Sequence, residues 1–483
     1  MENKKAVIGE QPVYDAKELG AGRVTVLGIQ HMFAMFGSTV LVPVLTGLPV
    51  STTLLFAGLG TLLFHFLTKK KVPAFLGSSF AFLAGYFAIA PNGEPELLPY
   101  ACFGVAMAGL MYLVLAGLFK AFGANRVMKY FPPVVTGPII IAIGLNLSVS
   151  AINNCQTDWF IALIAILIII FCNIWGKGMI KIIPILMGVV GSYLVAAVQG
   201  KVDFTPVAQA SWIGLPLDMN RTVFGLFGNG NVDTALLLTA VITILPISFA
   251  TMMEHIGDIS AISSTVGRNF IQDPGLHRTL MGDGLATTVA SLFGAPANTT
   301  YGENTGVLTL TKVYDPFVIR LAAGFAILMS FCPKFAMLIQ VMPQATLGGI
   351  SLVLYGMISA VGVRNVVETK VDFSKSRNVI IAALILVLSI GINYTEVGAI
   401  VIPAGGITIS LSGLAVGSLV GILLNAILPG KDYRFASDQP NPTGVDLQIQ
   451  QGETLAEQME RVEKSRRLAR ERAERQVERD REE

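Results

Sequence analysis

Long apolar runs separated by short polar segments fill the chain between residues 24 and 428. Most of these runs approach the roughly 20 residues that an α-helix needs to cross the hydrocarbon core of a bilayer. The pattern therefore predicts an all-α polytopic membrane protein of about fourteen spans, in which short extended segments occur only at two breaks. The predicted limits of the spans are 24–44, 52–67, 77–91, 100–119, 132–149, 160–175, 179–198, 235–257, 281–293, 303–311, 317–332, 347–361, 379–392 and 411–428.

Two of the predicted spans, 77–91 and 303–311, are short and interrupted. The second follows a segment in which Pro296, Asn298 and Gly302 disfavour helix, so we predict an extended piece that leads into a half-helix. Such a break leaves backbone groups without intrahelical partners, and it survives at membrane depth only inside protein or beside a wet cavity. Secondary transporters bind substrate at breaks of this kind. The alternative is an ordinary external loop in which Glu303 is solvated.

An internal repeat relates the two halves of the chain. The pair Q-H at residues 30–31 and the pair E-H at residues 254–255 lie 224 residues apart. The same offset carries residues 302–303 back to residues 78–79, inside the stretch V-P-A-F-L-G-S-S-F. Because seven spans per half is an odd number, the second half must be inverted relative to the first. The sequence thus predicts two inverted seven-span repeats whose broken spans meet near the middle of the membrane.

Composition agrees with a polytopic membrane protein, since the chain is 53% hydrophobic and 14% charged, with a mean hydropathy of +0.64. The net charge of +2 gives no reason to expect a nucleic-acid partner. The four cysteines are scattered, without a C-x-x-C pair or a disulfide framework. We expect neither a metal nor another cofactor, and the lipid bilayer is the expected surroundings.

Lysine and arginine are distributed unevenly between the two sides of the predicted topology. With the N-terminus inside, the inner segments hold 20 of the 34 basic residues, the outer loops hold 3, and the segment after the last span holds 11. Positive residues favour the cytoplasmic side, so both termini are predicted to be cytoplasmic. We divide the chain into a cytoplasmic tail (1–22), a transmembrane transporter domain (23–430) and a charged cytoplasmic tail (431–483) that is helical or disordered. Residues 1–22 lack the apolar core of a signal peptide.

Ionisable side chains inside spans are costly and by default mark function. The set comprises His31, His65, Glu254, His255, Asp258, Asp283 and Glu303. Glu254 and Asp258 are four residues apart and share a helical face. Two buried carboxylates at that spacing repel when both are ionised, which suits a proton carrier. The alternative places Asp258 at the solvated end of its span.

The remaining members of this set have simpler interpretations. His31 is expected to hold the neighbouring break in place, and His255 is expected to make a structural hydrogen bond. His65 and Asp283 lie near predicted span ends, where both are expected to reach the membrane interface.

The candidate groups together suit a small, flat, polar solute. The carboxylates of Glu254 and Glu303 accept hydrogen bonds from ring N–H groups. Free backbone N–H groups at the two half-helix starts, near Phe80 and Gly302, donate to carbonyl oxygens. Phe80 and Tyr301 offer aromatic faces. These residue types alone do not select one solute.

The motif E-N-T-G-V-L-T-L-T-K at residues 303–312 resembles the signature of the nucleobase–cation symporter-2 family, also called the nucleobase–ascorbate transporters. The stretches Q-H-M-F-A-M-F-G-S-T-V-L-V-P (30–43), P-A-F-L-G-S-S-F-A-F (73–82) and D-P-G-L-H-R (273–278) are similar to its uracil permease branch. The similarity covers residues 24–428 and leaves out both tails. Four separated motifs in the same order make the resemblance specific.

The resemblance implies a core domain of spans one to four and eight to eleven, and a gate domain of spans five to seven and twelve to fourteen. It implies a plasma (inner) membrane protein that imports uracil with protons by alternating access, and we also expect a homodimer through the gate domain. Glu254 and Glu303 correspond by position to uracil-binding glutamates. Phe80 and Gly302 correspond to backbone contacts, and Tyr301 corresponds to a pocket residue.

Proton coupling is expected of Glu254 and Asp258. Some uracil permeases carry a histidine at the position that matches Asp258. This difference leaves the route of the proton open. Structural support of the site is expected of His31, Ser79 and Asn304.

Other functions fit the sequence less well. A xanthine or urate carrier is the first alternative, and an anion exchanger of the same fold is the second. The carboxylate of Glu303 argues against the exchanger, because half-helix dipoles serve an anion without added negative charge. An enzyme is not expected, since the chain lacks H-E-x-x-H, G-x-S-x-G and a phosphate-binding glycine loop. A purely structural membrane protein would not need two broken spans.

Overall fold

The computed structural model describes residues 8–9, 11–177, 180, 183–228, 232–404 and 407–430 of the 483-residue chain. The predicted C-terminal tail, 431–483, lies outside the described residues. The first half contains α1 (Ala21–Thr46), α2 (Val50–Leu67), β1 (Leu76–Ser78), α3 (Leu83–Ile89), α4 (Leu98–Phe122), α5 (Ala124–Val127), α6 (Pro133–Gln156), α7 (Trp159–Ile174) and α8 (Pro184–Val198).

The second half follows two short helices, α9 (Thr205–Gln209) and α10 (Val223–Gly228). It contains α11 (Thr234–Ile244), α12 (Ile247–Val266), α13 (Leu276–Leu292), β2 (Asn298–Thr300), α14 (Gly302–Thr311), α15 (Pro316–Ser330), α16 (Pro333–Gln340), α17 (Gln344–Glu368), α18 (Ser376–Asn393), β3 (Ala399–Ala404), β4 (Ile407–Ser412) and α19 (Gly413–Ile427). Proline and glycine set many of the limits. Pro133 stands in the first turn of α6, and Gly47 ends α1 with a left-handed φ of 80°.

The helices form an integral membrane protein, and each of the fourteen predicted spans contains at least one of them. By length and apolar composition, seven helical segments of the described chain are able to cross a membrane, with α11 and α12 counted as one. The pair α15 and α16, bent by 88°, would make an eighth crossing, and three further apolar helices are shorter. The figure of fourteen crossings therefore stays a prediction.

Helix packing falls into two sets. In one, α13 lies along α4 and α2, while α15 lies against α1 and α2. In the other, α6 lies along α17 and α18, while α7 packs on α8 and α17. The first set consists of helices predicted for the core domain and the second of helices predicted for the gate domain. The domain division itself stays a prediction.

The two breaks meet. β1 and β2 pair as an antiparallel two-stranded sheet, with Leu76 opposite Thr300, Gly77 opposite Thr299 and Ser78 opposite Asn298. All residues of both strands are buried. Each half-helix then starts within a few residues of its strand, α3 at Leu83 and α14 at Gly302. The pairing brings two segments together that are more than 200 residues apart in the chain.

Three expectations about the overall fold differ from the structure. The fold is not all-α beyond the two breaks, because β3 and β4 form a second antiparallel pair, from Ala399 opposite Ser412 to Ala404 opposite Ile407. The helix of span eight extends beyond the predicted limit at residue 257, since α12 continues to Val266. The N-terminal segment is not a plain tail, because Val13 and Leu19 are buried against the helical domain.

Candidate functional site

Side chains from two helices, together with a main-chain carbonyl of a third, bond to the strand crossing. Thr61 of α2 accepts a hydrogen bond from the amide of Leu76 through Oγ1, at 2.9 Å. Thr287 of α13 donates from Oγ1 to the carbonyl of Asn298, at 2.7 Å. Ser78 in turn donates from Oγ to a carbonyl of α1, at Thr39, over 2.8 Å. A short sheet in a buried position persists because its free edges have partners of this kind.

The backbone ladder extends past the strands. The amide of Ser79 donates to the carbonyl of Ala297 at 2.8 Å, and the amide of Tyr301 donates to the carbonyl of Phe75 at 3.0 Å. Ser79 is buried, and its main-chain amide contributes to the crossing through this hydrogen bond. Both half-helix starts are thereby fixed to the opposite strand.

Tyr301 is buried beside the crossing. Its hydroxyl donates to the carbonyl of Ser78 at 2.9 Å and lies 3.4 Å from Oγ1 of Thr39. A Cβ added at Gly77 would lie 2.5 Å from Cε2 of Tyr301, so the ring needs the glycine beside it. Tyr301 therefore joins the two breaks, in addition to the pocket role that the resemblance implies for it.

Phe80 lies between β1 and α3, where it meets the second set of helices. Its ring and that of Tyr355 on α17 stand edge to face, with centroids 5.7 Å apart and an interplanar angle of 76°. Both side chains are buried. Sequence reasoning missed Tyr355, although a tyrosine in the middle of an apolar span was a usable signal.

Asp258 faces the second break. Its Oδ2 accepts a hydrogen bond from Oγ1 of Thr300 at 3.1 Å. A Cβ built on Gly302 would lie 4.0 Å from Oδ1 of Asp258, so the carboxylate stands beside the start of α14. Asp258 precedes the end of α12 by about two turns and is partly buried. Glu254 lies one turn earlier on α12 and is partly buried.

A buried histidine–aspartate pair extends these polar contacts into the helical bundle. Nδ1 of His255 lies 3.1 Å from Oδ2 of Asp283 on α13, and both side chains are 0% exposed. Oγ1 of Thr300 lies 3.5 Å from the same His255 nitrogen. The expectation that Asp283 reaches a membrane interface is wrong, because α13 starts at Leu276 and carries the residue into the interior.

His65 is also buried, so its predicted position at the interface is wrong as well. Its Nε2 lies 2.8 Å from the carbonyl of Ala74, just before β1. The histidine thus provides a hydrogen-bond partner for the backbone that leads into the first break. Pro73 precedes that carbonyl and interrupts any helix there.

His31 of α1 contacts Asn304 in the first turn of α14. The amide nitrogen Nδ2 of Asn304 lies 3.1 Å from Nδ1 of His31 and 3.2 Å from its carbonyl oxygen. Both residues are buried. The backbone of Glu303 belongs to the same turn, while its side chain lies outside the described part of the structure.

These positions define the candidate site around the crossing. The starts of α3 and α14 supply backbone N–H groups, α12 supplies Asp258 with Glu254 one turn away, and Phe80 supplies an aromatic side chain. A family model of a permease family, Xan_ur_permease, matches residues 22–398. The chain belongs to this family, the nucleobase–ascorbate transporters. As a family member it is a membrane permease and not an enzyme.

Two relatives in this family are similar over most of their length. The uracil permease of Bacillus caldolyticus is 41% identical over 431 residues, which cover 87% of this chain and 96% of the relative. The uracil permease of Bacillus subtilis (strain 168) is 39% identical over 414 residues, covering 83% of this chain and 91% of the relative.

A solved structure with the same fold is more distant in sequence. The transmembrane domain of the cyanobacterial bicarbonate transporter BicA matches with a TM-score of 0.56 at 15% identity. The match covers 86% of this chain and 99% of that domain. At this identity the likeness establishes a shared helical transporter fold.

Proposed function

We propose that this permease is a uracil:proton symporter, which imports uracil across the plasma membrane by alternating access. One observation carries the proposal. The starts of two half-helices meet at a buried strand crossing. Helix α12 faces this crossing, because its Asp258 accepts a hydrogen bond from Thr300 of β2. The printed names of the similar Bacillus proteins support uracil as the substrate.

In the proposed complex, uracil is held between the crossing and α12. The carboxylates of Glu254 and Glu303 accept hydrogen bonds from the ring N–H groups of uracil. Backbone N–H groups near Phe80 and Gly302 donate to its carbonyl oxygens, since the first amides of a helix have no intrahelical partner. The side chain of Phe80 then packs on the ring.

Proton coupling is proposed to pass through Glu254 and Asp258. A carboxylate at Asp258 accepts from Thr300, whereas a protonated carboxyl group becomes a donor. Proton binding at Oδ2 itself would therefore let that oxygen donate to Thr300 instead of accepting from it. Because Thr300 ends β2 two residues before Gly302, this change reaches the start of α14 directly.

Alternating access is proposed to move the predicted core domain against the predicted gate domain, with a homodimer through the gate. The contact between Phe80 and Tyr355 supports a site at the boundary of the two helix sets. Opening on either side would separate these rings and expose the site. The proton is then the only coupling ion, and neither a cofactor nor a metal takes part.

Uptake of radiolabelled uracil into proteoliposomes under an imposed pH gradient tests the proposal. We expect uptake that requires the gradient and that unlabelled uracil and 5-fluorouracil inhibit, whereas unlabelled xanthine has less effect. Stronger inhibition by xanthine than by uracil would favour the purine carrier. Uptake of uracil that ignores the pH gradient would contradict proton symport.

A further inference from the structure

The N-terminal segment binds the ends of two helices that carry the candidate site. The amide of Val13 donates to the carbonyl of Lys312 at 2.8 Å, and the carbonyl of Val13 accepts from the amide of Tyr314 at 2.8 Å. Just upstream, the amide of Gly9 donates to the carbonyl of Thr311 at 2.9 Å. These bonds supply partners for carbonyl groups at the end of α14, which the helix itself leaves unpaired.

Tyr14 reaches a second helix. Its hydroxyl donates to the carbonyl of Val266, the last residue of α12, at 2.9 Å. Its ring lies 4.4 Å from the guanidinium of Arg268 and 5.5 Å from the ring of Tyr314. One side chain therefore bridges the end of α12 and the segment that follows α14.

The carboxylate of Asp315 fixes the rest of the segment. Its Oδ2 accepts from the amide of Ala16 at 2.8 Å, and its Oδ1 accepts from the amide of Phe317 at the start of α15, also at 2.8 Å. Buried apolar residues complete the attachment in a small separate cluster of Val13, Ala16, Leu19, Val24, Leu27, Val313 and Val318. In the described part of the chain, these contacts go to α1, α12, α15 and the end of α14.

We propose that residues 11–19 are a clamp that positions α12 and α14 relative to each other and thereby sets the geometry of the substrate site. Asp258 lies eight residues before the clamped end of α12, and Gly302 lies nine residues before the clamped end of α14. Each separation corresponds to about 12–14 Å of helix. A displacement at the clamped ends is transmitted through these rigid segments to the site. Binding sites lose affinity when groups are displaced by roughly 1 Å. Tyr14 is then a positioning residue that touches neither substrate nor proton.

The proposal rests on the uracil site proposed above, and calorimetric titration of the full-length protein with uracil tests both. We expect Tyr14→Ala to raise the dissociation constant of uracil about tenfold through lost pre-organisation, with the number of binding sites per chain unchanged. Tyr14→Phe keeps the ring contacts and should have a smaller effect. Tyr394→Ala removes an exposed tyrosine after α18 and serves as the matched control.

The outcomes separate the two proposals. If the unaltered protein does not bind uracil, the proposed substrate is wrong. If it binds uracil and Tyr14→Ala has the same dissociation constant, the clamp does not position the site. A fall only in the number of sites would mean that Tyr14 serves folding alone, which also overturns the proposal.

A disulfide provides a second, independent test. Val13 and Val313 form a parallel β-bridge. Bridged backbone segments lie about 4.8 Å apart, which is close enough for a disulfide. Val13→Cys with Val313→Cys, in a chain whose four native cysteines are replaced by alanine, should transport uracil equally well oxidised and reduced. Loss of transport on oxidation, restored by reduction, would mean that the clamp must open during transport, contrary to the proposal.

Discussion

Thr300 is the residue at which the proposed substrate site and the buried polar groups join. It lies 3.1 Å from Asp258 and 3.5 Å from His255, whose other neighbour is Asp283. A hydroxyl both donates and accepts, so it serves either protonation state of its neighbours. Asp258, which contacts Thr300, is proposed for coupling, and Glu303 is proposed for binding, so substitutions of these two residues discriminate between the two roles.

Asp258→Asn is expected to impair proton-driven accumulation more than binding. Asparagine keeps the shape and the acceptor oxygen toward Thr300 but carries no titratable proton. Accumulation of labelled uracil in proteoliposomes under a pH gradient should fall by about tenfold or more, while the calorimetric dissociation constant changes by less than about threefold. Asp203→Asn, in an exposed segment that is predicted to be external, is the control. Equal loss of accumulation and affinity would leave Glu254 as the sole proton carrier.

Glu303→Gln is expected to weaken uracil binding. The substitution keeps the shape of the side chain and removes its charge, so a charge-assisted hydrogen bond of roughly 1.5–3 kcal/mol becomes a neutral one. The dissociation constant of uracil should rise about tenfold to a hundredfold in calorimetric titration. Glu396→Gln changes an exposed glutamate after α18 and should bind uracil as the unaltered protein does. An unchanged constant in Glu303→Gln would exclude this glutamate from the site.

At the scale of elements, the crossing of β1 and β2 depends on close approach as well as on hydrogen bonds. A Cβ at Gly77 would lie 2.5 Å from Tyr301 and 2.6 Å from Oγ1 of Thr39, both buried. We therefore expect Gly77→Ala to cost about 1–3 kcal/mol, the range for overpacked interiors. Both the apparent melting temperature and the uracil affinity should fall.

The matched control is Gly324→Ala in α15, where a Cβ meets nothing within 4 Å and helix propensity favours alanine. Measured by the same thermal assay, its melting temperature should be unchanged or higher. If Gly77→Ala melts like Gly324→Ala, the contact between Tyr301 and the first break is not rigid.

The sequence predicted elements well where one local signal dominated. Apolar runs located the helices, and proline with glycine located both breaks, because these residues remove helical hydrogen bonds or backbone restraint. The β3–β4 pair was missed because almost all of it was left as the connection between the predicted spans 379–392 and 411–428, although the β-branched residues of 400–402 and 407–409 around two glycines were a usable signal. The pairing of His255 with Asp283 and of Phe80 with Tyr355 depends on contacts between distant helices, which no local pattern encodes.

At the scale of the whole molecule, the N-terminal segment changes how the chain is divided. The sequence placed the start of the membrane domain at residue 23, since residues 1–22 are polar. The structure adds Val13, Ala16 and Leu19 to a buried cluster with α1 and α15. A short polar segment with three spaced apolar residues thus belongs to the folded domain, while its backbone supplies hydrogen bonds that helix ends require.

The predicted orientation is testable by labelling single cysteines in a chain whose native cysteines are replaced. Lys70 follows α2, and Gln209 ends α9; both are exposed and suited to labelling. The excess of basic residues on the predicted inner side places Lys70 in the cytoplasm and Gln209 outside. In intact cells, a membrane-impermeant maleimide should therefore label Gln209→Cys directly, and Lys70→Cys only after the membrane is permeabilised. Direct labelling of both, or of Lys70→Cys alone, would contradict the cytoplasmic N-terminus and the span order between the two positions.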